Sequence, residues 1–219
     1  MFLQRCFNRQ NKVIFTPFEF PKTRILLISD LHSGSGYYQI NKSFYRKADI
    51  CIAMGDIEYS ELVDIQANCN VFNIPLYAIP GNHEPKTLID ELNINNLHGK
   101  SITLPNGLSI AGMGGCCRYK DNEVLCLMTN EESVRLAESI PKADIFITHS
   151  NVLRDDKNES HSGLQGIIEY LKKNETLIHF YGHLHERNDE MLPFGTRSVC
   201  IYRIAIATIS DSLSLEYIL

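Results

Sequence analysis

The sequence predicts an α/β fold, and three observations carry that prediction. Short apolar runs of strand length recur along the chain, at Ile25–Ile28, Ile50–Met54, Leu76–Ile79 and Ile145–Ile147. Stretches with helix-start signals lie between several of them, and strand-like runs crowd the end from 196 to 218. Continuous apolar runs of this length suit strands buried on both faces, and alternation with helices suits a mostly parallel sheet.

The elements follow in order. Ser60 to Asn70 reads as a helix, with Ser60 as its cap and Leu62, Ile65 and Ala67 supplying apolar positions. Leu76–Ile79 is a short buried strand ending at Pro80-Gly81, and Pro85 opens the next helix, where the first turn tolerates proline. Between Ile102 and Gly112 two strands flank Pro105-Asn106-Gly107, whose Asn-Gly is a hairpin signal. Asn130-Glu131-Glu132 starts a helix with acidic residues well placed in its first turn, and Ser162 to Lys173 is another. Thr196–Ile201, Ile204–Ile209 and Leu213–Ile218 read as the terminal strands of a second sheet. Residues 1–219 form a single domain on this reading, with 1–22 an N-terminal extension, either strand or arm.

Composition fits a globular domain. The chain has 219 residues, 44% of them hydrophobic, enough for a sizeable core. Net charge is −5 and the pI about 5.9, so there is no global electrostatic reason to expect nucleic acid or a membrane as partner. The longest apolar stretches are only about five residues, far short of a span, and the first twenty residues lack a signal-peptide core. Seven cysteines are an odd count without a C-x-x-C pair, which favours reduced thiols and a cytoplasmic location. A zinc site from Cys116, Cys117 and Cys126 is the weaker alternative.

Chemistry-bearing residues follow the strand runs. Asp30-Leu31-His32, Gly55-Asp56, Gly81-Asn82-His83-Glu84, Thr148-His149 and Gly182-His183-Leu184-His185 together hold five of the eight histidines. A histidine beside a strand is usually a packed rim residue, and a strand-end aspartate is often a helix cap. Packing alone does not call for Asp-x-His, Asn-His and His-x-His at successive strand ends. Carboxylate, imidazole and amide oxygen are ligands for divalent transition metals, and there are too many here for one ion. Two such cations about 3.5–4 Å apart activate water and clamp both oxygens of an in-line displacement at phosphorus. In open α/β sheets, ligands gather beyond the carboxyl ends of the strands, where these residues stand. His98 and His179 read as structural.

The ordered set D-x-H, G-D, G-N-H-E, H and G-H-x-H resembles the calcineurin-like metallophosphoesterases, from about Ile25 to His185. The resemblance implies a four-layer α/β/β/α sandwich with two mixed sheets. It implies that Asp30, His32 and His185 bind one metal, that Asp56 bridges, and that Asn82, His149 and His183 bind the second. His83 would assist the leaving group, a role suited to an imidazole titrating near neutrality, while a hydroxide bridging the metals attacks phosphorus. Glu84 would orient a neighbour by hydrogen bond. The two divalent ions would be manganese first, with iron, zinc, cobalt and nickel open to the same ligands.

Departures from the family pattern place the chain further. No arginine follows Gly55-Asp56, unlike the protein serine/threonine phosphatases and diadenosine tetraphosphatases. No capping domain follows the G-H-x-H, unlike the double-strand-break repair nucleases. Gly114-Gly115-Cys116-Cys117-Arg118-Tyr119, followed by Thr129-Asn130-Glu131-Glu132, is similar to small, uncapped bacterial and phage-type phosphoesterases. In that group a His-x-Gly follows the fourth motif, matched by His161-Ser162-Gly163. Arg118 and His161 are therefore the candidate substrate contacts, Arg118 through its planar fork. The expected activity is that of a phosphodiesterase on a phosphate ester, nucleotide-derived esters among the substrates, with phosphomonoesterase and nuclease as runners-up. The rival from another class is a silent protein-interaction scaffold, as in the retromer subunit of this fold. Oligomeric state is not readable.

Overall fold

The computed structural model describes residues 6–7, 13–14, 22–31, 40–153, 159–210 and 212–218. Ahead of the two large sheets, Cys6–Phe7 pairs antiparallel with Val13–Ile14. The strands of the two large sheets are numbered here in chain order. In the first sheet β1 (Thr23–Ser29), β2 (Ile50–Ala53), β3 (Leu76–Ala78) and β4 (Asn95–Asn96) run parallel. The second contains β5 (Lys100–Thr103), β6 (Ser109–Met113), β7 (Ile145–Thr148), β8 (Ile178–Tyr181), β9 (Asn188–Met191) and β10 (Arg197–Cys200). Its spatial order is β9-β10-β8-β7-β6-β5, parallel from β6 to β10 with an antiparallel strand at each edge. β11 (Arg203–Ile209) and β12 (Leu213–Ile218) return to the first sheet, whose order is β12-β11-β1-β2-β3-β4.

Side-chain alternation explains the layers. In β1 and β2, Leu26, Ile28, Cys51 and Ala53 pack outward with Tyr45 of α1 (Lys42–Lys47), Leu62 and Ile65 of α2 (Tyr59–Phe72) and Leu88 of α3 (Leu88–Glu91). Their neighbours Ile25, Leu27, Ile50 and Ile52 point inward and meet Ile110, Ile145, Ile147 and Phe180 of the second sheet. Ala111 and Phe146 on that sheet's far face pack with Ala137 of α4 (Asn130–Ser139) and Ile167, Tyr170 and Leu171 of α5 (Gln165–Asn174). The result is the expected α/β/β/α sandwich. Both faces of the central strands are dry, and each fully buried aliphatic side chain contributes about 1.5–3 kcal/mol. That is why the runs read as continuously apolar.

Several local expectations hold and others shift. The 102–112 hairpin forms, with β5 and β6 antiparallel and Gly107 at φ 89°. Helix α4 starts at Asn130, where Thr129 and Glu132 form a reciprocal capping box. The helix expected from Ser60 begins one residue earlier and runs to Phe72, ending on Asn73 in the left-handed conformation. Pro85 makes a bridge to Leu125 instead of opening a helix, and α3 starts at Leu88. The helix expected from Ser162 begins at Gln165, after a short 3₁₀ turn at Glu159–His161. Assigning all three C-terminal strands to the second sheet is corrected. Only β10 lies there; β11 pairs antiparallel with β1, because Ile204 and Ile206 complete the outer core while Ala205 and Ala207 complete the inner one.

Candidate functional site

The parallel strands of both sheets deliver their C-terminal ends to one place. Asp30 follows β1, Asp56 lies three residues beyond β2 and Asn82 four beyond β3. His149 follows β7, and His183 lies two residues beyond β8. Backbone contacts stitch these ends together: Asp30 N–H donates to the Gly55 carbonyl at 3.2 Å, and Gly182 N–H to the His149 carbonyl at 3.0 Å.

Glycine is required where two of the turns meet. A Cβ on Gly81 would overlap Asp56 Oδ1 and its backbone nitrogen, and one on Gly182 would overlap Ser29 Oγ. These close approaches let backbone amides reach the carboxylates. Asp56 Oδ1 accepts from Asn82 N–H at 2.8 Å and from His83 N–H at 3.0 Å. His183 N–H donates to Asp30 Oδ2 at 3.0 Å. Glu84, buried behind the turn, accepts from Gly81 N–H at 2.7 Å and from Asp56 N–H at 3.1 Å, so the neighbour it orients is the backbone carrying Asp56.

Asp30, Asp56, His183 and His185 all have positive φ, at 57°, 53°, 71° and 53°. Each left-handed non-glycine residue costs on the order of 1–3 kcal/mol, and such strain collects where side-chain aim matters more than stability. The remaining described non-glycine cases include Asn73 and Glu175, which end helices α2 and α5.

The histidine tautomers are set by carbonyl groups. His149, fully buried, donates Nδ1–H to the Met54 carbonyl at 2.9 Å. Its Nε2 therefore faces Asn82 Oδ1 at 2.9 Å and Asp56 Oδ2 at 3.4 Å. His183 donates Nε2–H to the Ser160 carbonyl at 2.7 Å, which leaves Nδ1 with its lone pair. Ligand atoms of Asp56, His149 and His183 lie within 4.8 Å of one another, a group that can hold a metal ion. His185 Nε2 stands 3.7 Å from Asp30 Oδ1, and His83 Nε2 3.8 Å from Asp56 Oδ2. The His83 and His185 side chains are about half exposed, so the cluster opens to solvent on their side.

Charge in the cluster is strongly unbalanced. Burial disfavours a charged Asp56, yet His149, His83 and the Asn82 amide outweigh it and hold the carboxyl far below its ordinary range. Burial likewise opposes a charged His149, but Asp56, Asp30 and Glu84 override it and raise the imidazole to about 10. Burial, with Asp56 beside it, lifts Glu84 to about 7. Burial and the neighbouring His149 press His183 down to about 3, which keeps it neutral. Carboxylates that drive a buried imidazole to take a proton call for positive charge at the centre. Oxygen and nitrogen donors with tautomers already fixed fit a divalent cation in that role.

The other expected residues divide. His161 comes to the site, its ring edge-on to His183 with centroids 4.9 Å apart. The structure does not bring Arg118 into the cluster: its Nη2 bonds Glu132 Oε2 at 2.8 Å and the Leu127 carbonyl at 3.2 Å, on a separate hollow with Lys86 and Asp121. His32 lies outside the described residues. His98 accepts from Gly114 N–H, and His179 is clasped between Thr148 and Ser198, both as packed structural residues. Cys116, Cys117 and Cys126 form no metal-ligand group among the described residues. Sequence reasoning missed Tyr119, whose hydroxyl is 3.5 Å from Asn82 Nδ2, and Tyr202, which stacks on His185 at 5.5 Å. It also missed the Met54 and Ser160 carbonyls, since a backbone acceptor leaves no trace in residue type.

A two-sheet sandwich with a carboxylate–imidazole centre at its strand ends defines the class, an α/β protein with a candidate metal-binding group at one pole. The particular family follows from sequence: residues 23–187 match the calcineurin-like phosphoesterase model, and the chain belongs to that family. No curated protein sequence matches the chain. Among solved structures it is similar to a Thermus thermophilus protein at 13% identity and TM-score 0.61, covering 90% of this chain and 99% of that one. A dimetal phosphatase from Danio rerio matches at 10% identity and TM-score 0.60, over 92% and 96%. The phosphopantetheinyl hydrolase of Mycobacterium tuberculosis matches at 14% and TM-score 0.55, over 82% and 89%. At these identities the likeness speaks for the fold. No described helix is long and apolar enough to cross a membrane.

Proposed function

We propose that the chain is a dinuclear metal-dependent phosphoesterase, acting on phosphodiesters ahead of monoesters. The observation that carries this reading is the convergence of Asn82 and His149 on a deeply buried Asp56, with Asp30 and His183 joined beside it. Asp56, Asn82, His149 and His183 would hold one cation, and Asp30, His32, Asp56 and His185 the other, with manganese first among the candidates. When bound, the cations would supply Lewis-acid charge and an activated water.

The chain's own residues do the rest. The Asn82 and His83 amides fix one Asp56 oxygen, so its other oxygen keeps a constant aim. Glu84 restrains the Gly81 and Asp56 backbones on which that aim depends. His83 projects into the open side of the site and delivers a proton to the departing ester oxygen. His161, beside His183, is positioned at the rim to meet a non-bridging phosphate oxygen. An open rim admits a phosphate carrying two substituents, which favours diesters; nucleotide-derived esters are the first substrates to try. The described cysteines are thiols, in keeping with a reducing cytoplasmic setting.

The test is turnover of bis-p-nitrophenyl phosphate and p-nitrophenyl phosphate, with and without chelator, by wild type and His83→Ala. Chelator-sensitive diester turnover that falls at least about 100-fold in His83→Ala supports the reading. Chelator-insensitive turnover overturns it, and faster monoester turnover overturns the diester preference.

A further inference from the structure

Three residues beyond Asp56 the chain enters α2, and its first residue, Tyr59, leaves 61% of its surface exposed. Val63, one helical turn further on the same face, is exposed as well. Tyr59 lines a cleft of about 660 Å³ that begins at Asp56 and His83 and continues over Ile57, Pro85 and Leu88. Glu58, Glu84 and Glu91 complete its lining, Glu58 and Glu91 bringing two carboxylates from outside the centre. The cleft is continuous with the centre described above, since Asp56 and His83 belong to both. Three residues of chain keep the Tyr59 and Asp56 Cα atoms within about 11 Å.

We propose that this cleft is the subsite for the organic substituent of the phosphate ester, and that Tyr59 is the face on which a planar aromatic group lies. The proposal rests on the phosphoesterase reading and deepens it by naming the substrate class: esters of nucleosides or aryl alcohols. Three features select such a group. The tyrosine ring offers a π-face, to which any nucleobase or aryl ring stacks with little demand on sequence or substituent. Ile57, Pro85 and Leu88 give an apolar floor that suits a flat, weakly hydrated ring better than a sugar or a charged chain. Glu58 and Glu91 place negative charge around it, which repels a second phosphate or a carboxylate and favours a neutral or cationic ring such as an aminated base. His83 stands where the cleft meets the centre, so a group seated on Tyr59 has its ester oxygen directed toward the imidazole.

The experiment uses two ligands that cannot be hydrolysed, phenylphosphonate and methylphosphonate. Both are titrated calorimetrically into the manganese-supplied full chain, with bis-p-nitrophenyl phosphate turnover followed on the same preparations. Wild type is expected to bind phenylphosphonate about tenfold tighter than methylphosphonate. Tyr59→Ala is expected to erase that preference by weakening the phenyl ligand alone, and Tyr59→Phe to keep it. The pair Glu58→Gln and Glu91→Gln is expected to improve binding of 4-carboxyphenylphosphonate relative to phenylphosphonate. Equal affinities in wild type, equal loss of both ligands in Tyr59→Ala, or no binding of either would overturn the subsite. Tyr59 lies on the surface of a helix, so its removal leaves the fold intact. The two readings fail separately: absent turnover with the phenyl preference retained sinks the catalytic reading, and normal turnover without the preference sinks only the subsite.

Discussion

Gly81→Ala isolates the close approach on which the centre depends. The added Cβ would overlap Asp56 Oδ1 and the Asp56 backbone nitrogen, and would lie 2.8 Å from Asp56 Cγ. Those atoms belong to a buried turn and a buried carboxylate, so relief requires the 81–83 backbone to retreat. Overpacking of this kind costs about 1–3 kcal/mol. Retreat also lengthens the amide bonds from Asn82 and His83 to Asp56 and from Gly81 to Glu84, and each bond to a charged acceptor is worth about 1.5–3 kcal/mol. Partial loss of these on top of the overpacking gives a total of about 3 kcal/mol. With a urea slope of about 2–3 kcal/mol/M, the unfolding midpoint should fall by about 1–1.5 M, and bound metal should fall with it. Gly107→Ala is the control. A Cβ there meets nothing within 4 Å, while φ is 89°, so it pays only backbone strain of about 1–2 kcal/mol and keeps its metal. If Gly81→Ala unfolds within about 0.2 M of wild type and binds metal normally, the carboxylate is not held by that turn and the reasoning fails.

Two further outcomes are expected. Phe146 is fully buried and stacks on Tyr170 at 4.0 Å between the second sheet and α4–α5, so Phe146→Ala should cost about 3–5 kcal/mol in urea unfolding. A loss below about 1 kcal/mol would mean that this helical layer does not close over the sheet as described. Cys117 is drawn down to about 6 by its Cys116 neighbour, against the effect of burial and with help from Ser162, whereas burial pushes Cys126 up to about 12. Because the thiolate is the nucleophile, iodoacetamide should label Cys117 half-maximally near pH 6, with Cys126 unreactive through pH 8. Peptide mass mapping that finds Cys117 no faster than Cys126 at pH 7 would contradict that ordering.

The ends of the central strands were legible because two chemical demands coincide there. A strand buried on both faces must be apolar throughout, and a ligand must be polar, so the boundary at Ile28–Asp30 or Ile147–His149 is abrupt. The Asn106-Gly107 hairpin and the acidic start of α4 were legible for similarly local reasons. What sequence hid is set by contacts distant along the chain. Nothing in residue type marks Met54 or Ser160 as the carbonyl that fixes a histidine tautomer. Aspartates and histidines gave no sign of their left-handed backbone. β9 was invisible because an edge strand of Asn188, Asp189, Glu190 and Met191 has no buried face to betray it. The sheet that β11 joins is not legible, because its apolar residues suit either core. Arg118 looked available in sequence, and its pairing with Glu132, fourteen residues on, is a tertiary fact.

The most direct measurement is metal content together with phosphodiester turnover, on wild type and Asp56→Asn supplied with manganese. Asn keeps the size of the side chain and removes the charge on which His149, Asn82 and His83 converge. The account expects about two metals per wild-type chain with turnover. In the variant it expects loss of metal and of nearly all turnover, with the fold retained by circular dichroism. A wild-type chain that binds no metal after manganese is supplied, or an Asp56→Asn chain that keeps both metals and full turnover, would contradict it.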